Sequence, residues 1–204
     1  LDGIQAEQLA YWYFRLNGYF TIRDFVVHPD LGSGQQTDID VFGVRFPFRS
    51  ELLKNSMQDD ELLVEDKIHI VMVEVKAGQC SLNNSWKNKE AHNVERFLNA
   101  IGALPETMIE SAATELYEKA AYEDDKYSIQ IIVVGSEWND KLFESYSEID
   151  QITYKHMLEF IFERFSKYHL QKKIHPQWDE FGEELWQNYN TSQDVEEFIQ
   201  KYFS

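Results

Sequence analysis

HIVMVEVKAGQ, residues 69–79, decides how this chain is read. Ile70 to Val75 is apolar and β-branched enough for a buried strand, yet Glu74 and Lys76 interrupt the run. Side chains alternate along a strand. Ile70, Met72, Glu74 and Lys76 therefore share one face, and Val71, Val73 and Val75 share the other. A carboxylate and an ammonium thus stand about 7 Å apart on one face of a core strand. The same spacing recurs at Glu65/Lys67 and Asp124/Lys126, where polar surroundings let water solvate both groups. Within a strand, desolvating an ion is costly unless partners compensate. Either the pair satisfies itself at the strand end, with Lys76 reaching outward along its stem, or it performs chemistry.

The segments upstream supply two more strands and a helix. TDIDVFGVRFPF (37–48) alternates as a strand, with Asp38 and Asp40 expected on one face and Ile39 and Val41 on the other. YFTIRDFVVH (19–28) is aromatic and β-branched, and the Gly- and Ser-rich PDLGSGQQ that follows it is a loop. IQAEQLAYWYFRLNG (4–18) is an amphipathic helix with Ile4, Leu9, Trp12, Tyr13 and Leu16 on its apolar side and Gly18 at its end. Downstream, NKEAHNVERFLNAIGAL (88–104) and PETMIESAATELYEKAA (105–121) read as helices, and YSIQIIVVG (127–135) as a buried strand. From about residue 153 the chain alternates aromatic and charged residues with helical period. This order predicts a single α/β domain over 1–204: a central mixed β-sheet flanked by helices, with additional C-terminal helices at about 151–204.

Composition narrows the function classes. The chain has 204 residues, 43% of them hydrophobic and 15% aromatic, enough for one well-filled core. No run of about 18 apolar residues is present, so no membrane span is expected. One cysteine, Cys80, cannot form an internal disulfide, which suits a cytoplasmic, reducing setting. The net charge is −17. Nucleic-acid surfaces are normally basic, so this balance counts against a tight, stand-alone DNA binder. The acid-rich runs QDDELLVED (58–66), YEDDK (122–126) and DVEEF (194–198) read as solvated faces or loops.

Three pieces stand in a suggestive order: GxxxE at Gly3–Glu7 in the first helix, TDID at Thr37–Asp40 in a strand, and VEVKAG at Val73–Gly78 in the next. In that order and context the chain resembles the PD-(D/E)XK, or restriction-endonuclease-like, nuclease superfamily, its resolvase-like and nuclease-related-domain members most of all. The likeness covers about residues 3–135; the later helices have no counterpart in it. It implies a metal-dependent nuclease that hydrolyses phosphodiester bonds, with DNA the expected partner and Mg²⁺ (or Mn²⁺) the cofactor. Catalysis would fall to Glu7, Asp40, Glu74 and Lys76. The metal would be held by Asp40, Glu74 and the backbone carbonyl of Val75, with Glu7 contributing as a ligand through a second metal or a metal-bound water. Hard divalent cations take oxygen ligands of this kind. The lysine would orient the attacking water and stabilise charge developing on phosphorus.

Several residues are weaker candidates. Asp38 reads as a supporting or solvent-facing carboxylate, and Gln79 as a contact to phosphate or water or as an ordinary strand-end residue. His92 reads as structural rather than as a proton carrier, and Trp86, Trp178 and Trp186 as core rather than base-stacking. His156, His169 and His175 lack metal-ligand spacing. Arg15, Arg23, Arg45, Arg49, Lys87 and Lys89 lie in the segments nearest the site and are the sequence's candidates for a basic groove. Without such a groove, a basic protein partner or a further domain would supply the grip on DNA. The charge balance itself favours a different class, a protein-interaction module that keeps a nuclease-like fold without catalysis.

Overall fold

The strand read around His69 is paired on both sides and buried on both faces, so it lies in the middle of a covered sheet. The computed structural model describes residues 1–32, 34–54, 57–63, 66–146, 148–174 and 179–203. The elements run α1 (Gly3–Leu16), β1 (Phe20–Val27), β2 (Thr37–Arg45), β3 (Ile68–Val75), α2 (Asn93–Ile101), α3 (Glu106–Lys119), β4 (Ala121–Glu123) and β5 (Tyr127–Gly135). There follow α4 (Asp140–Ser145), β6 (Asp150–Thr153), α5 (Tyr154–Lys167), α6 (His169–Lys172), α7 (Glu180–Asn190) and α8 (Val195–Phe203). Six strands form one mixed sheet in the order β1-β2-β3-β5-β4, with β6 also on β5. β1, β2 and β3 are joined antiparallel, as is β4 to β5. β5 runs parallel to β3 because α2 and α3 carry the chain back across the sheet, and β6 is parallel to β5. The architecture is the expected α/β one.

Two cores sandwich this sheet. On one face Val41, Val71, Val73, Val75, Ile132 and Val134 pack against α1, α5, α7 and α8 through Leu9, Tyr13, Phe14, Leu158, Phe165 and Phe198. On the other, Ile70, Met72, Ile129, Ile131 and Val133 meet Phe97, Leu98 and Leu116 of α2 and α3. β3 and β5, covered on both sides, are therefore continuous apolar runs. The C-terminal helices share the first core with α1 rather than standing apart.

Local signals account for the element ends. Asp2 caps α1 in a reciprocal capping box with Gln5. The helix stops at Asn17, and Gly18 turns the chain at φ 85° with the Arg49 side chain pressed against it, where a Cβ would collide with the guanidinium. Ile4, expected on the apolar side, is 70% exposed because it lies in the first turn, before α1 reaches the core. The helix expected over 88–104 is broken: His92 adopts φ 52° between a short 3-10 turn, Lys89–Ala91, and α2. β4 and β6, three and four residues long, are too short to show a period in the sequence. Among the described residues no helix is long and apolar enough to cross a membrane.

Candidate active site

The β1–β2 ladder pairs residues from Phe20↔Val44 to Val27↔Thr37 but lets go opposite Asp24 and Asp40. Two carboxylates facing each other across a ladder repel. Asp24 here has φ 54°, a left-handed conformation that costs a non-glycine residue free energy. Side-chain alternation slips at the same place: Ile39 enters the α2/α3 core and Val41 the α1/α5 core. This corrects the expectation that the two share a face, since it assumed an unbroken strand.

The slip frees Asp40 to act between strands. β2 and β3 pair from Arg45↔His69 to Val41↔Val73, after which Asp40 would face Glu74. Instead Asp40 Oδ2 accepts the backbone N–H of Val75 at 2.6 Å, taking the place of a ladder bond. The N–H and C=O of an extended residue point to the same edge, so the Val75 carbonyl faces the same gap.

Glu74 is buried at 3% exposure. One of its oxygens accepts from the Lys76 ammonium and the other from Trp86 Nε1 at 3.1 Å. Lys76 Nζ also donates to Asn83 Oδ1 at 2.9 Å. The Lys76 backbone is pinned on both sides: its N–H donates to the Val134 carbonyl at 2.9 Å, and its carbonyl accepts from the Tyr154 hydroxyl. Beyond it the loop is stitched to the end of β5, with Ser136 donating to Gly78 at 2.8 Å and Cys80 to Glu137 at 2.9 Å. Gly135 permits that approach, because a Cβ there would stand 2.6 Å from the Gly78 oxygen.

The carboxylates of this region raise one another. Burial pushes Asp40 above its ordinary 3.8, and the charges of Asp38 and Asp24 add to it against the Val75 N–H and Lys76. Burial also lifts Glu74 above 4.5, with Asp40 adding and Lys76 and Trp86 opposing. Glu7, half-buried on α1, is raised by burial and then by Asp40, Asp24 and Asp38, with Arg23 pulling the other way. Asp40 is the common neighbour: Glu74 and Lys76 approach it along β3, and Glu7 from α1.

The other sequence candidates are placed as follows. Asp38 is half-buried near Glu7 and Asp40. Gln79 is exposed and turned to the β5–α4 connection, where it donates to the Trp138 carbonyl at 3.0 Å. His92 is exposed and bonded to Glu95. Trp86 is core, as expected, and Trp186 packs on Phe165 and Tyr189. His156 is bonded to Asp60, and His169 lies against Trp186. Trp178 and His175 lie outside the described residues. Of the basic residues, Arg45 and Arg49 go to Asp59 and Lys89 to Glu118. Four neighbours of the site escaped the sequence reading: Asp24, Asn83, Trp86 as a donor, and Tyr154. An aspartate in the middle of FTIRDFVV was the one visible signal; the other three are brought in by tertiary structure.

The donor set of Asp40, Glu74, Glu7 and the Val75 carbonyl is all oxygen and suits a hard divalent cation. As the side chains stand, the described residues contain no group of three His, Cys, Asp or Glu poised together to hold a metal. Glu74 is engaged by Lys76 and Trp86, and Asp40 by Val75. A depression of about 540 Å³ lies elsewhere, between residues 58–62 and α5, whereas Glu74 lines only a small void with Ile39, Met72, Trp86 and Ile131. Compared with family models, curated proteins and solved structures, the chain matches none.

Proposed function

We propose that this protein is a metal-dependent nuclease of the PD-(D/E)XK kind, hydrolysing phosphodiester bonds in DNA. One observation carries the reading: Asp40, Glu74 and Lys76 meet where β2 and β3 part, the aspartate hooked onto the backbone between glutamate and lysine. A scaffold needs no buried carboxylates raising one another; chemistry that recruits a cation does. Asp40, Glu74 and the Val75 carbonyl would hold Mg²⁺ or Mn²⁺, with Glu7 beside Asp40. When bound, the ion supplies charge neutralisation at the phosphodiester and acidifies water. Lys76, released from Glu74, orients the nucleophile and stabilises charge on phosphorus. Trp86 and Asn83 position the glutamate and the lysine. The single buried thiol, Cys80, agrees with a reducing cytoplasmic setting.

The test is nicking of supercoiled plasmid by the purified chain during Mg²⁺ and Mn²⁺ titration, with Asp40→Asn and Glu74→Gln alongside. Metal-dependent nicking lost in both variants supports the assignment; equal activity in either variant refutes it. A second reading has its own observation. The net charge of −17 and the engaged stance of Glu74 favour a non-catalytic protein-interaction module on the same fold, directed at a basic partner. A wild-type chain that never nicks at any metal concentration, yet captures a basic protein, fits that reading.

A further inference from the structure

The chain has six arginines among 36 acidic side chains. Four of them end on carboxylates: Arg45, Arg49 and Arg164 on Asp59, and Arg96 on Asp30. The other two, Arg15 and Arg23, form no ion pair with a described residue, although acid lies close by. Both rest on aromatic faces. Arg15 lies 4.9 Å from the Trp12 ring centre and 5.7 Å from that of Tyr11, and donates to the Tyr11 hydroxyl at 2.6 Å. Arg23 lies 5.4 Å from the Tyr11 ring centre. A guanidinium stacked on a ring keeps N–H donors available at its edge, a shape matched to phosphate, and Arg15 spends only its Nη1 on Tyr11.

Their placement relative to the candidate site is regular. Glu7, Tyr11 and Arg15 succeed one another at four-residue spacing and form one stripe along α1. Arg23 joins the stripe from β1, whose outer side is the free edge of the sheet, and is itself exposed. From Glu7 to Arg15 the stripe runs about 12 Å, at about 1.5 Å per helical residue. That is three to four nucleotide steps along one strand, at about 3.4 Å each.

We infer that the seam between α1 and β1 is a phosphate track, on which Arg23 and Arg15 grip the backbone of a nucleic-acid strand a few nucleotides from the bond cleaved at Asp40 and Glu74. This rests on the nuclease reading for the identity of the strand. It explains how a strongly acidic chain engages a polyanion: the grip is local, on two guanidiniums kept off carboxylates by aromatic rings.

The experiment measures binding of a short fluorescein-labelled DNA duplex to the full chain, by anisotropy, as KCl is raised without divalent metal. Removing two phosphate contacts in Arg15→Gln/Arg23→Gln should flatten the slope of log K against log salt by about 1.8, at about 0.9 per contact. Arg15→Lys/Arg23→Lys, which keeps the charges, should hold most of the slope, and so excludes misfolding as the cause. In turnover the loss should fall on KM far more than on kcat. Identical slopes for wild type and the Gln pair, or no measurable binding by wild type, overturn the track. Metal-dependent cleavage together with identical slopes removes the track and leaves the nuclease reading. A flattened slope without metal-dependent cleavage keeps the track and removes that reading.

Discussion

Two pairs of acidic residues on this protein, each with one buried and one half-buried member, behave oppositely. Asp59 is wrapped by Arg45, Arg49 and Arg164, and Asp60 by the Tyr13 hydroxyl, His156 and the Leu62 N–H. Burial alone would push both up, but these partners outweigh it and both lie below their ordinary 3.8. Asp40 and Glu74 share one lysine, and both lie above their ordinary values. The first pair is saturated with donors and ties residues 59–60 to α1, β2 and α5. The second is undersupplied with positive charge. Burial of a carboxylate therefore says little by itself; the ratio of cations to carboxylates decides the direction in which it is shifted.

The largest effects should come from removing one acid of each pair. Glu74→Gln should lower plasmid nicking by about 10³-fold, the scale of losing one preorganised charge-stabilising group. Its Tm should stay within about 3 °C of wild type, the equivalent of about 1 kcal/mol, because the neutral amide avoids the desolvation that raises Glu74. Asp59→Ala should do the reverse. It leaves Arg45 and Arg164 without a carboxylate and Arg49 with Glu51 alone, and Arg45 Nη1 and Arg164 Nε and Nη1 already lack hydrogen-bond partners. Breaking such a cluster costs about 3–5 kcal/mol, or about 10 °C in Tm at this chain length. Nicking per folded molecule should survive. Thermal melting and nicking of both variants check the pair; a Glu74→Gln protein that melts like Asp59→Ala would erase the distinction.

The two regions were not equally legible in sequence. β3 announced itself because it is a nearly continuous apolar run with a charge at one end, and the faces assigned to Val71, Val73 and Glu74 are those observed. QDDELLVED, by contrast, reads as a solvated run, and the structure corrects this for Asp59 and Asp60. Nothing local marks them as buried, since the arginines on Asp59 lie 10, 14 and 105 residues away. Asp40 falls between these cases. Its residue type and position made it a candidate, but the break in the ladder beside it lies opposite Asp24, in another strand. Periodicity exposes a face; it is silent on which distant charge will meet it.

Divalent metal should sharpen the contrast next. Mg²⁺ at about 100 times its Kd would stabilise the fold by about 2.7 kcal/mol, or about 5–10 °C. Asp40→Asn should lose that rise, whereas Asp59→Asn should keep it from a lower starting Tm, and chelation should reverse it in both the wild type and Asp59→Asn. Differential scanning fluorimetry reads all three proteins. A rise that persists in Asp40→Asn would place the metal elsewhere.

The smallest effect concerns His156, whose Nε2 lies 2.7 Å from Asp60 Oδ2. The hydrogen bond to Asp60, with the charges of Asp60, Glu159 and Glu163, holds the imidazole above its ordinary 6.5 against burial. A group raised on folding contributes fully below its ordinary value and loses that contribution as pH climbs through the raised one. The side chain is 39% exposed, so solvent screening limits the contribution to about 0.5 kcal/mol. His156→Gln should therefore lower Tm slightly below pH 6.5 and converge with wild type as pH rises above it. The acid limb has the opposite sign: Asp59 and Asp60, depressed on folding, contribute above 3.8 and lose that contribution as pH falls through their lowered values. Tm profiles that diverge toward alkaline pH instead would mean that His156 is neutral in the fold, with Asp60 held by Tyr13 and backbone alone.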